Sequence, residues 1–338
     1  MSRFRNGDTE SGACGAGEGP FPCKEAMFWS AAGDGDVGVQ CGLCPHMCRI
    51  AMGAAGLCGV RENRGGRLAA SGYGVVSSIA LDPIEKKPLY LFHPGKAILS
   101  IGGFGCNLKC RFCQNHEISV DYSDSVAVYR DFGSASRKEP RPAKGRGARA
   151  PDGGRGRQMS PDDVAKLALQ TVPDGNIGVA YTYNEPLIGF EFLYDCAKLV
   201  REAGLHNVLV TNGYICPEPL DALLPFVDAM NIDLKGFSEG FYRKVGGDVE
   251  TVRRTIEMAS RHCHVEVTTL VIPGENEGDV EGIAAWLSSI SPDIPLHLSR
   301  FFPRHQYSGR APTPRETILA LKGVAGGHLK NVFAGNMG

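Results

Sequence analysis

The chain has no apolar stretch approaching the roughly 18–20 residues that a membrane-spanning helix needs. Met1 to Pro20 is glycine-rich and polar without an apolar centre, so no secretory signal is expected there. Charge of one sign is also missing. The 36 Lys and Arg residues against 37 Asp and Glu leave a net charge of −1, which gives no global attraction to nucleic acid or to an anionic membrane. Cysteine, by contrast, is present twelve times. Most of the twelve cluster at metal-ligand spacings, which suits a reducing cytoplasm better than a secreted disulfide framework. Cys196, Cys216 and Cys263 stand alone and read as core or surface thiols, and Cys14 and Cys23 carry no assigned role.

Two cysteine sets stand out. Cys106, Cys110 and Cys113 form Cys-x3-Cys-x2-Cys just after the apolar run Ala97–Ile101, which reads as a strand. Three thiolates can hold three irons of a cubane cluster, whereas a cluster that only carries electrons takes four. The fourth iron is then open to a ligand, as in a catalytic zinc site. A zinc knuckle or three buried thiols is the plainer alternative. Cys41, Cys44, Cys48 and Cys58 form Cys-x2-Cys-x3-Cys-x9-Cys in a glycine-rich stretch, which argues for a closed site of four thiolates. Structural zinc and an auxiliary [4Fe–4S] cluster both fit. A small unit with few apolar residues needs such a staple, which inclines the reading to a structural metal. His46 lies among these ligands and can replace one, or is an ordinary loop histidine.

From Ser160 onward the pattern alternates helix and strand. Ser160-Pro-Asp-Asp163 reads as a capped helix start, with a helix to about residue 172. Strands are predicted at about 177–182, 207–211, 229–234, 264–272 and 295–301, with helices at about 187–203, 248–261 and 277–290. With Ala97–Ile101 this makes six strands in a repeated βα order, hence a parallel α/β sheet curling into a partial (β/α)6 TIM-like barrel. Three parts are expected: a flexible tail over 1–25, a cysteine-rich unit over 26–95 and the partial barrel over 96–336. The barrel carries a basic insert at about 130–158 that has almost nothing to bury and reads as disordered. Its Arg137–Arg149 run has no aromatics to stack on bases, so a solvated insertion is favoured over a nucleic-acid site.

Chemistry in such folds collects at the C-terminal ends of strands. There the sequence places Cys106, Asn184-Glu185-Pro186, Thr211-Asn212-Gly213, Asp233 and Lys235, Pro273-Gly274, and the run from His297 to Arg300. Asp233 and Lys235, two apart on a strand, face the same side, either as a structural ion pair or as ligand contacts. Pro186 pushes Glu185 out of helical geometry and exposes it at its strand end; a dipole-favoured residue at a helix start is the plainer reading. Asn212-Gly213 also suits a tight turn on structural grounds alone.

The triplet, with Phe112 before its third cysteine, resembles the signature of radical S-adenosylmethionine (SAM) enzymes. The phrases Cys41-Gly-Leu-Cys44-Pro-His-Met-Cys48, Asp82-Pro-Ile-Glu-Lys-Lys-Pro88, Ala180-Tyr-Thr-Tyr-Asn-Glu-Pro186, Val210-Thr-Asn-Gly-Tyr214, Asn231-Ile-Asp-Leu-Lys-Gly-Phe237 and Val267-Thr-Thr-Leu-Val-Ile-Pro-Gly274 narrow this. Together they resemble the radical SAM member of the AmmeMemoRadiSam system, itself similar to pyruvate formate-lyase activating enzymes. The resemblance covers about residues 26 to 336 apart from the insert. It implies a [4Fe–4S] cluster on Cys106, Cys110 and Cys113, SAM on its fourth iron, a 5′-deoxyadenosyl radical, hydrogen abstraction from an unnamed substrate, and a reductant such as flavodoxin or ferredoxin. It also implies ribose and carboxylate contacts at Asp233 and Lys235, an adenine edge along Val271 to Gly274, and His297 beside the adenine, although a lone strand histidine is more often a satisfied core residue. Asn184 and Glu185 stand where the family holds the SAM ammonium, but Tyr183-Asn184-Glu185 lacks the family's glycine pair; Thr211 and Asn212 are expected as further cofactor contacts. The Asp82–Pro88 phrase is expected over the open rim, near substrate. The chain stops at Gly338, where relatives continue with a further Cys-x2-Cys segment.

Overall fold

The computed structural model describes residues 24–33, 38–121 and 156–338. Cys14, Cys23 and nearly all of the basic insert lie outside them. The centre is an eight-stranded sheet: β1 (Ser78–Pro83), β2 (Ala97–Gly102), β3 (Asn176–Tyr181), β4 (His206–Thr211), β5 (Ala229–Asp233), β6 (His264–Val271), β7 (Leu296–Arg300) and β8 (Val332–Gly335). The strands lie in this order across the sheet. β2 to β8 run parallel and β1 pairs antiparallel with β2. The helices between them are α1 (Pro161–Gln170), α2 (Phe190–Glu202), α3 (Pro217–Leu223), α4 (Glu239–Val245), α5 (Val249–Ala259), α6 (Val280–Ile290) and α7 (Arg315–Gly326). The six expected strands are all present. The sheet is longer by two, because β1 joins one edge and β8 the other. β1 therefore belongs to the main sheet, although the boundary at residue 95 assigned it to the cysteine-rich unit.

Local chemistry explains the element starts. Ser160 caps α1 with a reciprocal bond to Asp163, and Pro161 takes the first helical position. Asp248 caps α5 through Thr251 N–H. The helix expected from residue 187 begins later, at Phe190, because Pro186–Gly189 forms a 3-10 turn first.

Strand alternation divides the sheet into two faces. Leu99, Ile101, Val179, Leu209, Met230, Ile232, Val267, Val271, Leu296 and Leu298 pack with the helices in the main core. The opposite, inner face carries Ile98, Ala180, Val208 and Ala229, against which Ile84 and Leu89 pack, with Phe92 alongside. Further along that face stand Ser100, Asn231, Asp233, Glu266, Thr268 and His297, in register across the strands. Helices cover one face, and the segment after β1 fills the N-terminal end of the other.

That segment contains the Asp82–Pro88 phrase, which was expected over the C-terminal rim. Asp82 instead pairs with Ile98, near the start of β2. Burying Ile84 and Leu89 against the inner face pulls the phrase to the N-terminal end. The cysteine-rich unit is two small antiparallel sheets, one of Lys24–Glu25, Arg67–Ala70 and Arg61–Arg64, the other of Trp29–Ala31, Val39–Cys41 and Arg49–Ile50. A buried Arg61–Glu191 pair, 2.9 Å apart, ties it to α2.

Candidate iron–sulfur and SAM site

The loop after β2 brings Cys106, Cys110 and Cys113 to the C-terminal end of the sheet. Cys110 is buried and its two partners are partly buried. Burial pushes all three thiols up, Cys110 to about 11, while the Lys235 ammonium pulls each the other way. Without a cation the sulfurs stay protonated; a bound metal displaces those protons. The Cys106 sulfur accepts from Leu108 N–H at 3.3 Å and from Asn212 Nδ2 at 3.6 Å. Three clustered thiols with two N–H donors and a compensating ammonium suit an anionic iron–sulfur cluster.

Asp233 and Lys235 do meet, with Nζ and Oδ2 3.2 Å apart. Burial alone would lower the lysine, but the Asp233 carboxylate outweighs it and holds Lys235 charged. Asn276, two per cent exposed, donates from Nδ2 to the carbonyls of Lys235 and Leu270 and so joins the loops after β5 and β6.

Glu185 is buried at its strand end rather than exposed. Its carboxylate accepts from Leu187 N–H, Thr211 Oγ1 and Asn212 N–H at 2.7–3.0 Å. These three donors bind a carboxylate drawn in from the solvent, and burial raises its pKa to about 7. Glu185 therefore braces the end of β4, and Asn212 extends from there to Cys106. Asn184 Oδ1 accepts from Gly103 N–H, and its Nδ2 donates to the Gly105 carbonyl, so it shapes the approach to the cysteine loop. Thr211, Asn212 and Glu185 thus act as one unit.

Two expected SAM contacts do not reach this group through their side chains. Val271 is fully buried among the residues facing the helices, and its carbonyl accepts from Thr313 Oγ1 at 2.6 Å. His297, on the second residue of β7, is two per cent exposed, bonds Glu266 Oε2 at 2.6 Å and stacks on Phe333. It is a satisfied core histidine. The decisive partner, Glu266, lies on a different strand and no spacing rule links the two.

Several site residues were not visible from the sequence. Tyr183 has a left-handed φ of 71°, unusual for a tyrosine. Its hydroxyl donates to Asp82 Oδ2 at 2.7 Å, and Lys87 Nζ lies 2.8 Å from the same oxygen and 4.6 Å from the Tyr183 ring centre. Gly102 permits this crossing: a Cβ there would stand 2.9 Å from the Thr182 carbonyl. Asn107, immediately after Cys106, has a side chain that meets both Asn212 and the Cys44 thiol. His116, Asp121 and His305, at the same rim, place three ligand atoms within 4.8 Å of one another. A groove of about 700 Å³ opens at the opposite end of β6 and β7, beside Arg261, Cys263 and Asp293.

The four N-terminal cysteines line a single cavity with Asn107 and Ile188. Burial raises Cys44 to about 12 and Cys58 to about 11. His46 Nε2 donates to the Asn107 carbonyl at 2.7 Å, so this nitrogen is engaged in docking the two cysteine loops.

The Radical SAM superfamily model matches residues 100–287. An uncharacterized protein of Methanocaldococcus jannaschii is 38% identical over 321 residues, 93% of this chain and 85% of that protein. Pyruvate formate-lyase 1-activating enzyme of Escherichia coli K12 is 24% identical over 191 residues, 52% of this chain and 61% of that enzyme. A solved domain of pyruvate-formate lyase-activating enzyme from Bacteroides vulgatus overlays 47% of this chain and 99% of that domain, at 22% identity and a TM-score of 0.41. No helix among the described residues is long and apolar enough to cross a membrane.

Proposed function

The chain belongs to the radical SAM superfamily, whose members are enzymes, and from that premise we propose that Cys106, Cys110 and Cys113 hold three irons of a [4Fe–4S] cluster whose fourth iron takes SAM. Bound there, the cluster and SAM supply a 5′-deoxyadenosyl radical that takes a hydrogen atom from the substrate. The observation that carries this reading is the convergence of the three thiols, the Asn212 donor and the Lys235 ammonium at one end of the sheet.

The protein's own groups divide the remaining work. Leu108 N–H and Asn212 Nδ2 stabilise negative charge on the Cys106 sulfur. Lys235, fixed by Asp233 and by Asn276 on its carbonyl, presents a permanent positive charge for a carboxylate. Asp233, two-fifths exposed, offers its carboxylate to ribose hydroxyls. Glu185 holds Thr211 and Asn212 in place. On the inner face, Asp82 holds both the Tyr183 hydroxyl and the Lys87 ammonium.

We place the enzyme in the AmmeMemoRadiSam group on the phrases named above, in a reducing cytoplasm, with flavodoxin or ferredoxin as reductant and a metal on Cys41, Cys44, Cys48 and Cys58. A second reading, activation of a glycyl-radical enzyme, is supported by the similarity to the Escherichia coli activating enzyme. Anaerobic reconstitution with iron, sulfide, SAM and dithionite tests the proposal. The expected product is 5′-deoxyadenosine; an intact cluster that forms none refutes the enzyme reading. A glycine-centred radical appearing on a large co-purifying protein would select the second.

A further inference from the structure

Four observations concern the cavity of the cysteine-rich unit. First, Cys41, Cys44, Cys48 and Cys58 all line it, so the set converges on one site. Second, the sulfurs are spread. Among the described residues, the only three candidate ligand atoms lying mutually within 4.8 Å are those of His116, Asp121 and His305. Tetrahedral zinc with bonds of about 2.3 Å would draw its sulfurs to about 3.8 Å from one another. A cubane sets each thiolate on a separate iron and keeps them farther apart. Third, Arg61 lines the cavity at one per cent exposure, and its buried Nε has no hydrogen-bond partner. A buried donor of this kind calls for an acceptor, which thiolate or sulfide would supply. Fourth, the site adjoins the first cysteine set through a single residue. Asn107 lines the cavity and hydrogen-bonds the Cys44 thiol, follows Cys106 in the chain, and accepts from Asn212 at 2.9 Å.

We infer that Cys41, Cys44, Cys48 and Cys58 hold a second, fully ligated iron–sulfur cluster that relays single electrons through the Asn107 contact to the cluster at Cys106, Cys110 and Cys113. This rests on the proposed function for the acceptor cluster. The transfer is one electron and breaks no bond. A low-potential carrier protein reduces the N-terminal cluster by one charge, and that cluster returns to its oxidised state as the Cys106 cluster gains the electron. A fourth thiolate leaves no open iron, which is the arrangement that suits transfer rather than substrate chemistry. The docking contacts hold the two loops in register: His46 Nε2 on the Asn107 carbonyl, Lys109 Nζ on the Leu57 carbonyl at 3.2 Å, and Cys216 N–H on the Leu43 carbonyl at 3.0 Å.

The test uses the full chain, purified and reconstituted anaerobically with iron and sulfide. Iron, acid-labile sulfide and zinc per chain are measured with the EPR spectrum of the dithionite-reduced sample. The wild type should hold about eight irons, and both Cys106→Ala/Cys110→Ala/Cys113→Ala and Cys41→Ser/Cys58→Ser should retain about four. The reduced wild-type spectrum should be broadened by spin–spin coupling beyond the sum of the two variants. Zinc in place of iron at the N-terminal set, with about four irons in the wild type, overturns the cluster assignment. Eight irons with a spectrum equal to the simple sum overturns the relay. If the triple variant does not fold, the wild-type count and Cys41→Ser/Cys58→Ser still decide. Loss of iron only from the Cys106 set would refute the proposed function and leave the N-terminal cluster standing.

Discussion

Replacing Glu266 with Gln probes how the N-terminal end of the barrel is held closed. The Glu266 side chain is fully buried, and burial alone would raise its carboxyl. Bonds from His264 and His297 and from the Leu91 and Tyr90 N–H groups outweigh that and lower it from an ordinary 4.5 to about 2. At about 1.4 kcal/mol per pKa unit, the ionised form is favoured in the fold by about 3 kcal/mol. Because the folded carboxyl ionises below its unfolded value, that stability is fully present above about pH 4.5 and is lost as pH falls towards 2. Glutamine has one acceptor oxygen for four donors and adds an amide that can only donate. At pH 7, Glu266→Gln should therefore free the Tyr90 and Leu91 amides, now bonded at 3.0 and 2.8 Å. Their native-state hydrogen exchange should accelerate by on the order of 100-fold, the equivalent of about 3 kcal/mol. Amides in α5, on the other face of the sheet, should change much less. Unchanged protection at Tyr90 and Leu91 would refute the assignment of Glu266 as the clasp.

The two lysines of the Asp82–Pro88 phrase should separate cleanly. Lys87 is three per cent exposed, so Lys87→Met leaves Asp82 short of its closest cation and should cost about 3 kcal/mol in chemical denaturation, whereas the mostly exposed Lys86 should tolerate Met within about 0.5 kcal/mol. Equal effects would contradict the buried placement. Asn212→Ala removes a donor to the Cys106 sulfur and should make the SAM cluster harder to reduce, by about 40 mV for a bond worth about 1 kcal/mol. An EPR-monitored redox titration reads this, and a potential unchanged or raised would exclude the bond as a tuning contact.

Much of the fold was legible because each signal was local. Alternating apolar runs marked six parallel strands, and Ser160 announced a helix start through capping chemistry. β8 was missed because Val332–Gly335 is four residues long with no alternation to read. Cys106, Cys110 and Cys113 were recognisable for the same local reason, since their ligand spacing fits in eight residues. Asp233 and Lys235 followed from period-two geometry, which carries on for two residues past the end of β5 at Asp233.

The sequence by itself determined which residues can bind metal, the order of strands and helices, and therefore which strand ends supply the chemistry. Only the tertiary structure decided which of those residues meet. Glu185 turned inward to Thr211 and Asn212, His297 was taken by Glu266, and the Asp82 phrase moved to the far end of the barrel. Asn107, unremarkable in the sequence, came to lie between the two cysteine sets. The physical reason is that burial makes every polar group find a partner, and the nearest suitable one is chosen by packing across strands, at separations in sequence that no local pattern records.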